Sequence, residues 1–417
     1  MATRETDTAT GDTTLRSIWR NRNFLVLWSG QAVSAVGTNI STLALPLLVL
    51  ALTRSPAQAG LIAAVQMLPY VILSLPAGAA IDRWDRKAVM LWCDGARGLA
   101  CLSLPLAVAL GHLTLAQVYA VALVTGSGAV LFDLAQVAAL PRVVPAAQVT
   151  AAYAATTAAA SGATLLGPGI GGLLISLART TLAGAMLAYL VDGLSYLVSV
   201  GALVSVRIPF QDSRAPVPGR AVRREIGEGL RFLWSHRQLR AIELLTLGTN
   251  LFLGATDLAL IVLARDTLRA NAATIGLIFS VGGVGALLGA LGASRVKAVQ
   301  RVGRLIVGAA VGEALAVLVM ALAPSPAILA IGACLAFAMV SLYSITAMSY
   351  RLSLTPDALQ GRVNSVGNLL STSCVPVSRA VGGVLLGPLG PRTELWMIAI
   401  GLGGVVIVAR WTRLWSD

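Results

Sequence analysis

Residues 76–90 read PAGAAIDRWDRKAVM. Gly78, Asp82, Arg83, Arg86 and Lys87 fall in the spacing G-x-x-x-D-R-x-x-R-K, between one apolar run over 58–81 and another over 88–110. So polar a patch between two membrane-length runs reads as a tight reversal at a membrane surface. Glycine lets the two helices approach, and three basic side chains hold the loop at the inner face, where Lys and Arg collect. Asp82 at this reversal is placed to interact with the positive N-terminus of a neighbouring helix.

Outward from that reversal the same alternation recurs. Of 417 residues, 57% are apolar and only 12% charged, about half of the roughly 25% charged share of a soluble domain. This excludes a secreted disulfide scaffold, a disordered tail protein and an ordinary cytosolic enzyme. A polytopic membrane protein remains. A span needs about 20 apolar residues, and twelve such runs lie at about 24–52, 58–81, 88–110, 115–140, 149–177, 181–206, 239–264, 272–294, 304–323, 326–353, 362–388 and 392–410. Residues 1–14 are polar and Thr-rich, without the basic start of a signal peptide, so the first run reads as a retained span.

The predicted organisation is a tail (1–23), a six-helix bundle (24–206), a basic linker (207–238), a second six-helix bundle (239–410) and a short tail (411–417). The linker ends in GRAVRREIGEGLRFLWSHRQLRAI (219–242), where Leu230, Leu233 and Trp234 share a face opposite arginines. That pattern predicts a helix lying on the membrane surface. With both termini inside, 24 of the 31 Lys and Arg face inward and five outward, leaving Arg97 and Arg379 within spans. The bias predicts cytoplasmic termini. It also explains the net charge of +13 without nucleic acid, since aromatics are only 5% and no RNA-binding signature is present. Spans one and seven begin 215 residues apart, and the prolines after spans four and ten (Pro145, Pro356) are 211 apart. Parallel six-helix repeats with a substrate site between them are a transporter architecture.

The segment around Asp82 resembles motif A of the major facilitator superfamily at every defined position. Other stretches are similar to its macrolide-efflux and enterobactin-exporter-like branch: LRSIWRNRNFLVLWSGQAVSAVG (15–37), ALPLLVLALTRSP (44–56), LPRVVPAAQ (140–148) and TPDALQGRV (355–363). In span five, SGATLLGPGIGG (161–172) is similar to the antiporter signature ending G-P-x-x-G-G. Gly167, Pro168, Gly171 and Gly172 match it, while Ala163 replaces a further glycine; small residues there permit close helix packing. The resemblance implies twelve helices in two pseudo-symmetric bundles and a multi-pass protein of the inner or plasma membrane. It implies a small-molecule substrate, proton as counter-ion, and sufficiency of a monomer. It places gating at Gly78, Asp82, Arg83, Arg86 and Lys87, with Asp82 facing Gly361 and Arg362 at the start of span eleven when the inner side is closed. Two departures stand out. Span four, VALVTGSGAVLFDLAQVAAL (121–140), lacks the arginine usual in proton-coupled drug antiporters, and the loop after span eight, LGASRVKAVQRVGR (291–304), lacks the D-R core.

An ionisable group inside a span costs at least about 2.5–3.5 kcal/mol, so each is a functional candidate. Asp133 in span four and Glu313 in span nine are candidate proton or substrate groups, Asp133 the first choice as proton carrier and Glu313 the reserve, with Asn39 and Asn250 in spans one and seven as hydrogen-bonding partners of substrate or of other helices. Asp94 and Arg97, three residues apart in span three, read as a local ion pair, and Asp192 in span six as structural. Glu243 at the inner mouth of span seven reads as solvated. Asp257 and Arg379 sit 18 and 17 residues along spans seven and eleven, at matching depth; since the resemblance makes those spans neighbours, a buried ion pair is expected. His112 and His236 read as surface residues. The four cysteines (Cys93, Cys101, Cys334, Cys374) lack C-x-x-C spacing, so no metal or cofactor is expected.

No Walker A pattern occurs, so the chain itself does not use ATP. An intramembrane enzyme would need clustered nucleophile, base or metal ligands, and none is legible. The expected function is secondary export of small amphiphilic molecules (a drug, a macrolide-like natural product or a siderophore) by proton antiport. Uptake of a small nutrient is the alternative.

Overall fold

The computed structural model describes residues 18–81, 83–211, 222–295, 302–356 and 359–411. Asp82 and part of the loop after span eight therefore lie outside the described residues. Among the described residues, twelve helices are long and apolar enough to cross a membrane. In chain order they are Arg22–Thr53, Pro56–Ile81, Arg86–Ala109, Leu115–Val143, Val149–Leu177 and Thr181–Ser205, then Arg237–Leu253 continued by Thr256–Val262, and Ala272–Arg295, Val302–Leu322, Pro326–Leu354, Gln360–Leu389 and Pro391–Trp411. They are called spans one to twelve. Every helix start and end falls within about one turn of the position read from apolar periodicity, except in span seven.

Span seven is broken. Its first helix stops at Leu253, a second runs from Thr256 to Val262, and a π-helical turn covers Leu263–Thr267. At the break, Gly254 has no side chain because Ser378 of span eleven fills the space; its Cβ would lie 2.7 Å from a β-carbon on Gly254. Broken helices are tolerated at membrane depth where the freed backbone lines a cavity or is covered by protein, and Gly254 lines a cavity.

Since the number of spans is even, the first and last begin and end on one face of the bundle, the terminal face. The halves pack against each other near the opposite, far face. Span two meets span eleven at Gly60 and Gly383, and span five meets span eight at Gly172 and Gly276. A Cβ on Gly172 would come within 2.9 Å of Gly276 Cα, and one on Gly60 within 2.7 Å of Gly383 Cα. The other close glycine contacts between the halves, Gly169 with Ser280 and Gly283 with Leu165, also fall in the half of these spans nearer the far face. The glycine crossings therefore hold the halves together toward the far end.

Between spans six and seven, the linker helix Val222–Ser235 does not simply rest in a bilayer surface. Leu233 is completely buried with Leu239 from span seven and Val363 and Val366 from span eleven, whereas Leu230 and Trp234 stay exposed. Arg362 Nη1 donates to Glu228 Oε2 at 2.6 Å, tying this helix to the terminal end of span eleven. The apolar face that sequence assigns to lipid is thus divided, with one residue spent on the protein.

Candidate functional site

A cavity of about 210 Å³ lies where the halves meet, beneath the far-end crossings. The N-terminal half lines it with Asn39, Thr42, Gln66, Thr164 and Pro168 among apolar neighbours; the C-terminal half contributes Asp257, Phe279, Phe337 and Arg379. Asn39 is held by its own helix, its Nδ2 donating to the Ala35 carbonyl at 2.9 Å, and it packs against Gly167. Gly171 meets Ile40 of span one, and Gly172 makes the crossing with span eight, so the glycine pattern of span five touches one helix of each half. The Pro168 carbonyl closes off the space beside Gly276, and Pro168 also lines the cavity.

Asp257 and Arg379 require a correction. They do share a depth and a cavity, but no ion pair within 4 Å joins them, and among the described residues neither side chain makes a hydrogen bond. Asp257 is exposed to the cavity and Arg379 half-buried. The break at Gly254 re-aims the following turn, which matching residue counts along two ideal helices do not register.

A second cavity, about 310 Å³, lies within the C-terminal half, lined by Glu243, Thr246, Asn250, Glu313, Tyr343, Arg351, Asn368 and Ser371 among others. Here a second correction falls. Glu243 is not solvated but 4% exposed, and Arg351 Nη1 donates to its Oε1 at 2.7 Å. Gly367 leaves the room that the Arg351 guanidinium occupies. Arg351 lies in the last turn of span ten and is buried. Glu313 is 1% exposed and its Oε1 has no hydrogen-bond partner. Asn250 is spent on helix packing, its Nδ2 donating to the Ser371 carbonyl at 2.8 Å.

In the N-terminal half, Asp94 and Arg97 lie 3.4 Å apart, both buried, and the Arg97 guanidinium sits 4.3 Å from the Tyr196 ring centroid. The Arg97 stem passes Gly128 of span four, where a Cβ would come within 2.7 Å of it. Span four thus lacks an arginine but accommodates one from span three. Asp192 is buried, with the Cys101 thiol 3.6 Å from its Oδ2. Asp133 is exposed and accepts a hydrogen bond from the Tyr70 hydroxyl at 3.1 Å.

The motif at 78–87 is anchored from within its own half. Arg86 Nη1 donates to the Ala138 carbonyl at 2.8 Å and Lys87 Nζ to the Val206 carbonyl at 2.6 Å, tying the start of span three to the ends of spans four and six. Arg83 is exposed, and Gly78 is half-buried. Asp85, which the motif does not define, caps span three by accepting from the Ala88 amide at 3.0 Å, a role its position before an apolar run signals. His112 and His236 are exposed, and no group of three or more metal-ligating side chains occurs among the described residues.

The chain matches the profile of the family described as transmembrane secretion effector over residues 13–414. It is 28% identical over 385 residues to the multidrug efflux pump Tap of Mycolicibacterium fortuitum, covering 89% of this chain and 90% of that protein. It is 26% identical over 368 residues to the enterobactin exporter EntS of Escherichia coli O81 (strain ED1a), covering 88% and 85%. Among solved structures, the nucleoside transporter NupG superposes with a TM-score of 0.75 at 12% identity, over 94% of this chain and 99% of that one. A bacterial homolog of the lysosomal transporter Spinster superposes with 0.74 at 13% identity, over 95% and 98%. These last two likenesses establish the fold: two six-helix bundles of the major facilitator type.

Proposed function

The chain belongs to the transmembrane secretion effector family, and from that premise we propose that it is a secondary exporter of small amphiphilic molecules. One observation carries the reading. The cavity between the halves is walled by apolar side chains with a few polar groups and is shut toward the far end by the glycine crossings. An exporter waiting for cargo from the cytoplasm has this shape, with the terminal face cytoplasmic and the protein in the inner or plasma membrane. Rocking of the halves about the cavity then delivers cargo to the far side. A monomer suffices, because both halves come from one chain.

The energy source in this reading is proton antiport. Asp133 and Glu313 are the candidate carriers. What favours Glu313 is its burial beside a cavity without a counter-charge, where Arg351 is already engaged by Glu243. Asp133 is open and held by Tyr70. A drug, a macrolide-like product and a siderophore all fit an amphiphilic cavity of this kind.

The test is expression in a strain deleted for its own pumps, with a panel of amphiphilic compounds and with or without a protonophore. Lower intracellular accumulation, abolished by the protonophore, is expected. Higher accumulation in expressing cells would replace export with uptake.

A further inference from the structure

The two halves make the same crossing from different residues. At the span two–eleven contact, Gly60 meets Gly383 and the Arg379 carbonyl; at the span five–eight contact, Gly276 meets Gly172 and the Pro168 carbonyl. The offsets are those of the sequence repeat: Gly172 to Gly383 and Pro168 to Arg379 are each 211 residues. On span one, Asn39 and Ile40 contact Gly167 and Gly171, as Gly254 and Ala255 on span seven contact Ser378 and Gly382; the span-seven residues stand 215 positions after those of span one, and the span-eleven residues 211 after those of span five. By that register Asp257 corresponds to Thr42 and Arg379 to Pro168, and all four line the central cavity.

The N-terminal half therefore builds its copy of this packing without a charge. Neither Asp257 nor Arg379 is needed to make the crossing, and each carries the cost of a charge at membrane depth. They do not repay it by pairing with each other. They are two opposite charges on one wall of an otherwise neutral cavity. Aromatic surface is supplied on the same half by Phe279 and Phe337.

We propose that the central cavity is a recognition site for zwitterionic amphiphiles. An ammonium group of the cargo meets Asp257, a carboxylate or similar anion meets Arg379, and the apolar body lies against Phe279 and Phe337. A zwitterion is neutral overall, so it supplies each wall charge with a partner and brings no net charge into the membrane interior. Guanidinium recognition of a carboxylate is directional and strong when desolvated, and both charges sit on helices, Asp257 in the first turn after the break in span seven.

This inference rests on the central cavity being the transport site. It is tested with a matched series: ciprofloxacin as the zwitterion, its N-acetyl derivative as the anion and its methyl ester as the cation. Equilibrium binding to the full chain in nanodiscs is read by fluorescence. Wild type should prefer ciprofloxacin over either derivative at least about tenfold, the ratio that about 1.4 kcal/mol produces. Asp257→Asn should abolish the preference over the anion, and Arg379→Gln the preference over the cation. The charge-preserving Asp257→Glu and Arg379→Lys should keep both preferences, which guards against variants that fold poorly. Equal binding of all three compounds by wild type, or binding of none, overturns the proposal. So does equal loss of all three in both neutral variants, especially if the double variant restores binding, because that pattern describes an internal ion pair. Because binding has no direction, import instead of export would leave this result standing, and loss of the zwitterion preference would leave export standing.

Discussion

Gly276 on span eight faces Gly172 on span five so closely that a β-carbon on either would come within 2.9 Å of the other's Cα. Backbone, not a side-chain tip, is the obstacle, so a larger residue cannot be absorbed by a rotamer change. Gly276→Leu should cost about 1–3 kcal/mol in this arrangement and shift the population toward one with the far end apart. Spin labels at His112 and Asn271 should report a longer distance, and transport should fall. An unchanged distance distribution would mean that this crossing does not hold the far end closed.

The ion pair of Glu243 and Arg351 leads to a stability prediction. Both side chains are almost wholly buried, and removing one partner strands the other, at about 3–5 kcal/mol. Glu243→Gln and Arg351→Met should each lower the unfolding temperature in detergent more than the double change does. Additive losses would show that the pair is not coupled.

How much of this was legible beforehand varies with the physics involved. Span positions followed from apolar run length, which the bilayer enforces along a single helix. The break in span seven did not, because one glycine in an apolar run is compatible with either outcome until Ser378 of another helix is seen to occupy its side. Glu243 and Arg351 are 108 residues apart and sit at helix ends, where charge is cheap, so nothing local required them to meet. The repeat was legible in part. The Gly-Gly of SRAVGG (378–383) stands 211 residues after that of GPGIGG (167–172), the offset already given by the prolines, and aligning on it would have revealed Arg379 as the counterpart of Pro168.

Gating at the terminal face yields a kinetic prediction. Arg362, expected to face Asp82 in the closed state, is engaged here by Glu228 of the linker helix. That pair is partly exposed, and exposed pairs contribute about 0.2–1 kcal/mol, weak enough to exchange partners as the halves rock. Asp82→Asn should slow transport while leaving substrate affinity within a few-fold, and Glu228→Gln should leave the unfolding temperature nearly unchanged. Loss of equilibrium binding in Asp82→Asn, at normal surface expression, would place Asp82 in the binding site instead.

Coupling gives the last prediction. A carboxylate in the bilayer interior needs a counter-charge, and insertion of an unpaired one costs at least about 2.5–3.5 kcal/mol. Asp94 has Arg97 and Glu243 has Arg351, while Glu313 Oε1 has no partner at all. A proton is the smallest group that meets this need, and a cation such as sodium would require a fuller set of oxygen ligands beside an arginine that repels it. In proteoliposomes, Glu313→Gln should bring substrate accumulation with an imposed pH gradient down to the level without one, and Asp133→Asn should keep most of the difference. An apolar carbodiimide, which attacks protonated carboxyls, should label the peptide carrying Glu313 in the unaltered protein and spare Glu243. If pH-driven accumulation persists in Glu313→Gln and vanishes in Asp133→Asn, the proton travels through the N-terminal half instead.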